Sequence, residues 1–208
     1  MSQHLPKAQG INPTNLSGFM FENDSIEDIT NLLKTDGILL MPTDTIWGIG
    51  CDATNPAAIK KVFDLKQRDY NKPLSILVDS IELIKDYVVE IHPRVETLLM
   101  HHTRPLTVIY PEARNLPDNL LPSNRSIAIR VVQDAFCQEI IRQLGKPIVS
   151  TSANIAGQPF PAHFGEVSSA IIQGVDYVVK RGQNEKKISE PSVIVRIDGD
   201  GELVFIRE

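Results

Sequence analysis

Gly37-Ile-Leu-Leu-Met-Pro-Thr-Asp-Thr-Ile-Trp-Gly-Ile-Gly-Cys-Asp52 is the stretch whose reading decides the fold. Its first half, up to Pro42, is an apolar run bounded by turn residues and reads as a short buried strand. The strand stops at the proline and is followed at once by two threonines, a carboxylate and two glycines. Ligands of α/β sheets sit just beyond such strand ends. An ordinary loop, with Thr and Asp bonding local backbone, fits the same residues.

Working outward, Ser25 caps a helix whose apolar face is Ile26, Ile29, Leu32 and Leu33, with Asp28 at the capping-box position and Gly37 as its stop. Asn55-Pro56 opens a second helix running to about Leu65. Leu74–Val78 is a second buried strand, and helices are expected over 80–88 and 93–102. Leu106–Tyr110 and Ser126–Val131 read as strands, Ala135–Leu144 as a helix ended by Gly145, and Pro147–Ser150 as a strand. Tyr177–Val179, Val193–Val195 and Leu203–Ile206 complete the set. The expectation is an α/β, α+β-like fold with one twisted mixed sheet and flanking helices. Residues 1–22 read as an irregular lead-in, 23–208 as one domain, and Lys180–Glu190 as a mobile polar loop.

The chain has 208 residues and a net charge of −5, from 21 basic and 26 acidic side chains. No global basic field is present to hold nucleic acid by charge alone. No apolar run reaches the roughly 20 residues needed to span a bilayer. Cys51 and Cys137 form no CxxC, the five histidines form no HExxH, and no hydrophobic signal core opens the chain. A soluble, reduced, cytoplasmic protein without membrane contact is expected. There is no GxxxxGK[ST] loop, Gly48-Ile-Gly50 lacks the third glycine of a dinucleotide fingerprint, and there is no GxSxG elbow.

Two further segments carry candidate chemistry. In Leu65-Lys-Gln-Arg-Asp-Tyr-Asn-Lys-Pro-Leu74, Lys66 continues the apolar stripe of Ile59, Val62 and Phe63, so its ammonium points inward. It is expected to reach a cavity holding water or anions, and with Arg68 and Lys72 it suits a polyphosphate. A cationic helix end complementing its dipole is the plainer reading. In Lys146-Pro-Ile-Val-Ser-Thr-Ser-Ala-Asn-Ile-Ala-Gly157, a strand runs into hydroxyls and an amide, which can cradle oxygens. A strand-to-turn transition uses the same residues.

Together, PTDTIWGIGCDA, KQR before Lys72-Pro73-Leu74, the strand Ser126-Ile-Ala-Ile-Arg130, STSAN and Glu190-Pro-Ser192 resemble the YrdC-like domain of the Sua5/YciO/YrdC family, the threonylcarbamoyl-AMP synthases. The resemblance spans about residues 25–207. It implies a large concave cationic cavity. The implied enzyme is a nucleotidyltransferase that converts L-threonine, bicarbonate and ATP into threonylcarbamoyl-AMP and diphosphate. That product serves N6-threonylcarbamoyladenosine formation in tRNA, completed by a separate tRNA threonylcarbamoyl transferase complex.

The family's KxR…SxN tetrad falls on Lys66, Arg68, Ser152 and Asn154. Thr43, Arg130 and Ser150 fall on threonine contacts. Lys72, Ser126 and Arg207 join the tetrad on the ATP side, with Phe160 aligned beside them. No metal-binding carboxylate set is implied, and Mg²⁺ would arrive with ATP. His102-Thr-Arg-Pro-Leu-Thr107 replaces a WPGP-type motif, and Glu190-Pro-Ser192 is similar to the YciO-like branch. A YciO-like protein binding double-stranded RNA or a nucleotide, without synthase activity, is the alternative. No C-terminal Sua5 domain is expected, which leaves Lys180–Glu190 as the nearest candidate lid.

Overall fold

A computed structural model describes residues 23–186 and 190–207. The lead-in expected over 1–22 lies outside the described residues. Helix α1 (Ile26–Lys34) begins where Ser25 Oγ accepts the Asp28 amide at 3.2 Å and buries Ile26, Ile29 and Leu33. The residue that turns the chain out of α1 is Asp36, at φ 65°, and not Gly37. Gly37 is needed for closeness instead. Its amide bonds Leu32 O at 3.0 Å, and a Cβ there would lie 2.6 Å from that same oxygen.

Strand β1 (Leu39–Met41) is wholly buried, and β2 (Gly48–Gly50) pairs back on it antiparallel. The expected loop after Pro42 therefore contains a strand. Glycine's weak strand propensity hid it, but Gly50 sits close to its neighbours, since a Cβ there would lie 2.7 Å from Met41 Cε and 3.1 Å from Val149 O. Helix α2 (Pro56–Lys66) is capped by Asn55, whose side chain accepts the Ala57 and Ala58 amides. Then come β3 (Ser75–Val78), α3 (Ile81–Ile84), α4 (Pro93–His101), β4 (Leu106–Tyr110) and β5 (Ile127–Val131). They are followed by α5 (Ala135–Leu144), β6 (Ile148–Ser152), α6 (Ser169–Gly174), β7 (Tyr177–Val178), β8 (Val193–Ile197) and β9 (Leu203–Arg207). Strand β6 runs two residues past its expected end, and α6 went unread because six residues give little periodicity.

The strands form one mixed sheet in the order β7-β1-β2-β6-β3-β5-β4-β8-β9. Its two faces differ. One face is covered by the larger core, which takes Ile76 and Val78 of β3, Leu106, Val108 and Tyr110 of β4, and Ile127 and Ile129 of β5. The opposite face is covered only in part. There α1 and α5, through Ile29, Leu33, Phe136, Ile140 and Ile141, bury Leu39, Met41, Leu77 and Ile148. The period of two then dictates what else that face shows. Ser75, Thr107, Ala128, Arg130, Ser150 and Ser152 all share its parity. The register confirms this, pairing Ser75 with Ala128 and Ser150, and Arg130 with Leu77 and Thr107.

Gly37→Ala is expected to destabilise the fold by about 1–3 kcal/mol, because backbone must move to admit one methyl. A urea midpoint that falls at unchanged slope would show it; an unchanged midpoint would mean that the Leu32–Gly37 contact is loose.

Candidate functional site

The uncovered part of that sheet face floors a cleft of about 300 Å³. Ser75, Thr107, Ala128, Arg130, Ser150 and Ser152 form its floor. Thr45, Ile46, Arg68, Phe160, Ser192 and Arg207 are among its walls. Among the described residues, three arginines and no carboxylate line it, so it is an anion-receiving surface. Among the described residues no group of three or more His, Cys, Asp or Glu could hold a metal ion.

Arg130 lies mid-sheet on β5 and is 5% exposed. Its Nη1 donates to Thr45 Oγ1 at 2.6 Å, its Nη2 reaches Thr43 Oγ1 at 3.5 Å, and the same Nη2 lies 3.3 Å from Asp44 Oδ1. Burial lowers the guanidinium's pKa, and the charge of Asp44 opposes that. The loop between β1 and β2 is knit for this task. Thr43 Oγ1 accepts the Thr45 amide at 3.1 Å and donates to Ile46 O at 2.9 Å. Thr43 itself opens on a smaller pocket of about 80 Å³, shared with Trp47, Asp134, His163 and Arg181.

Helix α2 ends because Gln67 adopts the left-handed region at φ 49°, which swings Arg68 to the cleft. Arg68 Nε and Nη2 donate to Lys72 O and Pro73 O at 2.8 and 3.0 Å, and burial lowers its pKa. Lys72 thus serves through its carbonyl, and its side chain is exposed off the cleft wall. Arg207 donates from Nε and Nη2 to Ser192 O at 2.9 and 2.7 Å, and Ser192 Oγ meets Thr107 Oγ1 at 2.7 Å.

Lys66 corrects the sequence reading. It is 1% exposed and does not line the cleft. Nζ donates to the carbonyls of Ser152 and of Asn154, the latter at 2.6 Å. Burial, then the charge of Arg68, pushes its pKa down to about 7. Lys66 therefore staples the turn that carries Ser152 and Asn154, and the Ala156 amide returns to Lys66 O at 2.8 Å. Ser152 Oγ donates to Asn154 Oδ1 at 2.5 Å, and Asn154 Nδ2 donates to Gln158 O at 2.6 Å.

The tetrad is thus contiguous, with Arg68 and Ser152 facing the cleft and Lys66 and Asn154 behind it. Ser150 is on the floor, and Phe160 stands at the rim, 45% exposed. Ser126 caps the entry to β5 through Asn124 at 2.9 Å and is not part of the wall.

The loop expected to be mobile over Lys180–Glu190 is anchored at its start, while 187–189 lie outside the described residues. Asp24 accepts the Lys180 amide at 3.0 Å, the Arg181 amide at 2.9 Å and Tyr177 Oη at 2.8 Å, and Arg181 pairs with Asp134 at 2.9 Å. Sequence reasoning missed Asp44, Thr45, Thr107 and Ser192. Thr107 was legible as the polar residue at an alternating position in β4; Asp44 and Thr45 sat inside a motif read through its neighbours.

The Sua5/YciO/YrdC family model, described as telomere recombination, matches residues 31–208. A Methanocaldococcus jannaschii protein provisionally named threonylcarbamoyl-AMP synthase is 36% identical over 174 residues, which cover 82% of this chain and 79% of that one. The Vibrio parahaemolyticus threonylcarbamoyl-AMP synthase is 35% identical over 139 residues, covering 65% and 75%. In fold, the chain is similar to P. abyssi Sua5 complexed with L-threonine, with a TM-score of 0.78 at 23% identity. That match covers 88% of this chain and 53% of the Sua5 chain, so this chain spans about half of its length. E. coli YciO matches with a TM-score of 0.76 at 19% identity, covering 88% of each chain.

Lys66→Met should cost about 1–3 kcal/mol, because it leaves two carbonyls without their donor. The gap from wild type should widen as pH rises. With the folded pKa near 7 and the ordinary value at 10.5, the unfolded chain holds this proton across that window and the folded chain does not. Wild-type stability gains with pH there, and the variant has no such gain. Denaturant melts of both proteins at about pH 7 and about pH 9.5 measure it; a constant gap would mean the ammonium stays charged against its carbonyls.

Proposed function

Because the chain belongs to the Sua5/YciO/YrdC family, we propose that it is an L-threonylcarbamoyladenylate synthase, an ATP-dependent nucleotidyltransferase acting in tRNA N6-threonylcarbamoyladenosine formation. The observation that carries this reading is the cleft: three arginines recessed over one sheet face, with hydroxyls between them and no carboxylate among the described residues of the lining. The names of the relatives at 35–36% identity support it.

In this reading the amine of L-threonine combines with bicarbonate to give a carbamate and water. A carbamate oxygen then attacks the α-phosphorus of ATP, a P–O bond forms, and diphosphate departs with the electron pair of the broken bond. Bicarbonate, the carbamate and ATP are all anionic, so mutual repulsion is the barrier to assembling them. Fixed cations in a recess counter that repulsion without reorganising at the moment of reaction. Arg68 and Arg207 are assigned to the phosphates.

Ser152 and Asn154 present the turn beside the phosphates, and Lys66 holds that turn from behind. Arg130 is assigned to the threonine carboxylate, with Thr43 and Ser150 nearby; its planar fork suits a carboxylate. Phe160 offers a ring face at the rim. No protein nucleophile is required. Magnesium would come bound to ATP, where it would screen phosphate charge, since the described residues of the lining offer no carboxylate set for a resident ion. A cytoplasmic site of action and a separate tRNA threonylcarbamoyl transferase complex as consumer belong to the same reading. No described helix is long and apolar enough to cross a membrane.

Incubation with ATP, bicarbonate and L-threonine should release diphosphate and threonylcarbamoyl-AMP, and omitting bicarbonate should abolish both. Diphosphate release that ignores threonine would refute the assignment. Threonine-independent binding of double-stranded RNA with a steep salt slope would favour the YciO-like alternative. Arg130→Ala should raise the KM for threonine far more than that for ATP, by about 2–4 kcal/mol in binding terms. Equal rises in both constants would remove Arg130 from the amino acid.

A further inference from the structure

The three arginines of the cleft are not electrostatically equal. Arg68 spends its donors on the carbonyls of Lys72 and Pro73, and Arg207 on the carbonyl of Ser192. These acceptors are neutral, and no carboxylate among the described residues pairs with either guanidinium, so both keep their charge for a ligand. Arg130 instead faces Asp44, with Nη2 and Oδ1 3.3 Å apart and both side chains 7% exposed. Asp44 is fixed from its other oxygen, which accepts the Gln133 amide at 3.0 Å. Among the described residues Arg130 Nε has no hydrogen-bond partner, and neither has Asp44 Oδ1 beyond the ion pair.

From this asymmetry we infer that Asp44 is a specificity-determining residue: its carboxylate cancels the charge of Arg130, reserving that end of the cleft for a zwitterionic amino acid and leaving the polyphosphate to Arg68 and Arg207. The inference rests on the reading given under Proposed function and deepens it. A triphosphate is drawn to whichever cations are uncancelled, and in a recess of low dielectric that attraction is strong. If Arg130 stood alone, the phosphates would have a third guanidinium within the same cleft, and they would compete for the place of the amino acid. A buried carboxylate behind Arg130 repels them while leaving a planar donor for a ligand that carries its own compensating ammonium. Specificity by an added repulsive element is a general device for separating two ligands.

The test uses L-threonine and inorganic tripolyphosphate as probes, with calorimetric binding to wild type, Asp44→Asn and Asp44→Glu. Wild type should bind both probes together. Asp44→Asn should bind tripolyphosphate about tenfold tighter, and tripolyphosphate should now displace threonine. Asp44→Glu keeps the charge but shifts it, so threonine should weaken severalfold while tripolyphosphate is unchanged and does not compete. Unaltered tripolyphosphate affinity in Asp44→Asn, with no competition, would overturn the inference. If Asp44→Asn does not fold, Asp44→Glu decides alone: loss confined to threonine supports the inference, and no loss or equal loss of both probes overturns it. A wild type that binds tripolyphosphate but not threonine would defeat the function reading itself, before any variant is compared.

Discussion

The site depends on a sheet face that its helices cover only in part. Helices α1 and α5 bury Leu39, Met41, Leu77 and Ile148, and beyond them the same face continues bare. Strand alternation cannot be switched off where the cover ends, because the pleat sends every second side chain to that side. Leaving apolar residues there would expose a sticky patch. The chain places Ser75, Thr107, Ala128, Arg130, Ser150 and Ser152 there instead. The cleft is thus the uncovered continuation of the core, and its floor is as rigid as the strands beneath it.

Burying cations beside that floor has a cost, and each is met differently. Lys66 gives its ammonium to two backbone carbonyls, Arg68 and Arg207 find carbonyls of neighbouring loops, and Arg130 has a carboxylate. Satisfying cations with neutral carbonyls preserves their field, whereas pairing with a carboxylate removes it. The arrangement leaves Arg68 and Arg207 in the recess available to anions from solution. Asp24 performs the complementary task at the edge of the site, with its carboxylate tying down the chain after β7.

Much of this was legible in the chain. Ser25, Asn55 and Gly145 marked helix ends because capping is local chemistry. The strands of 74–78, 106–110 and 126–131 were legible because Ser75, Thr107 and Arg130 each stand between two apolar neighbours. What escaped depends on contacts distant in sequence. Strand β2 exists only because β1 and β6 flank it, and no local signal marks Gly48-Ile-Gly50 as a strand. The inward direction of Lys66 followed from helical phase, but its partners sit 86 and 88 residues away. Phase alone cannot tell a cavity from a carbonyl. Asp44 was hidden for the same reason, since its guanidinium partner arrives on β5.

The strand order has a consequence for how the protein comes to be. Strand β6 stands between β2 and β3, and β7 stands outside β1, so the first half of the sheet is stitched together by residues from the last third of the chain. A nascent chain that has displayed β1, β2 and β3 cannot pair β2 with β3; it must hold both edges open until 148–152 emerge. Unpaired edges kept waiting are where chains associate wrongly, and non-local pairing is slow. The close contacts at Gly37 and Gly50, and the capped helices on either side of β1, therefore matter before the site exists: they give the early segments local order while the strand between β2 and β3 is still being made.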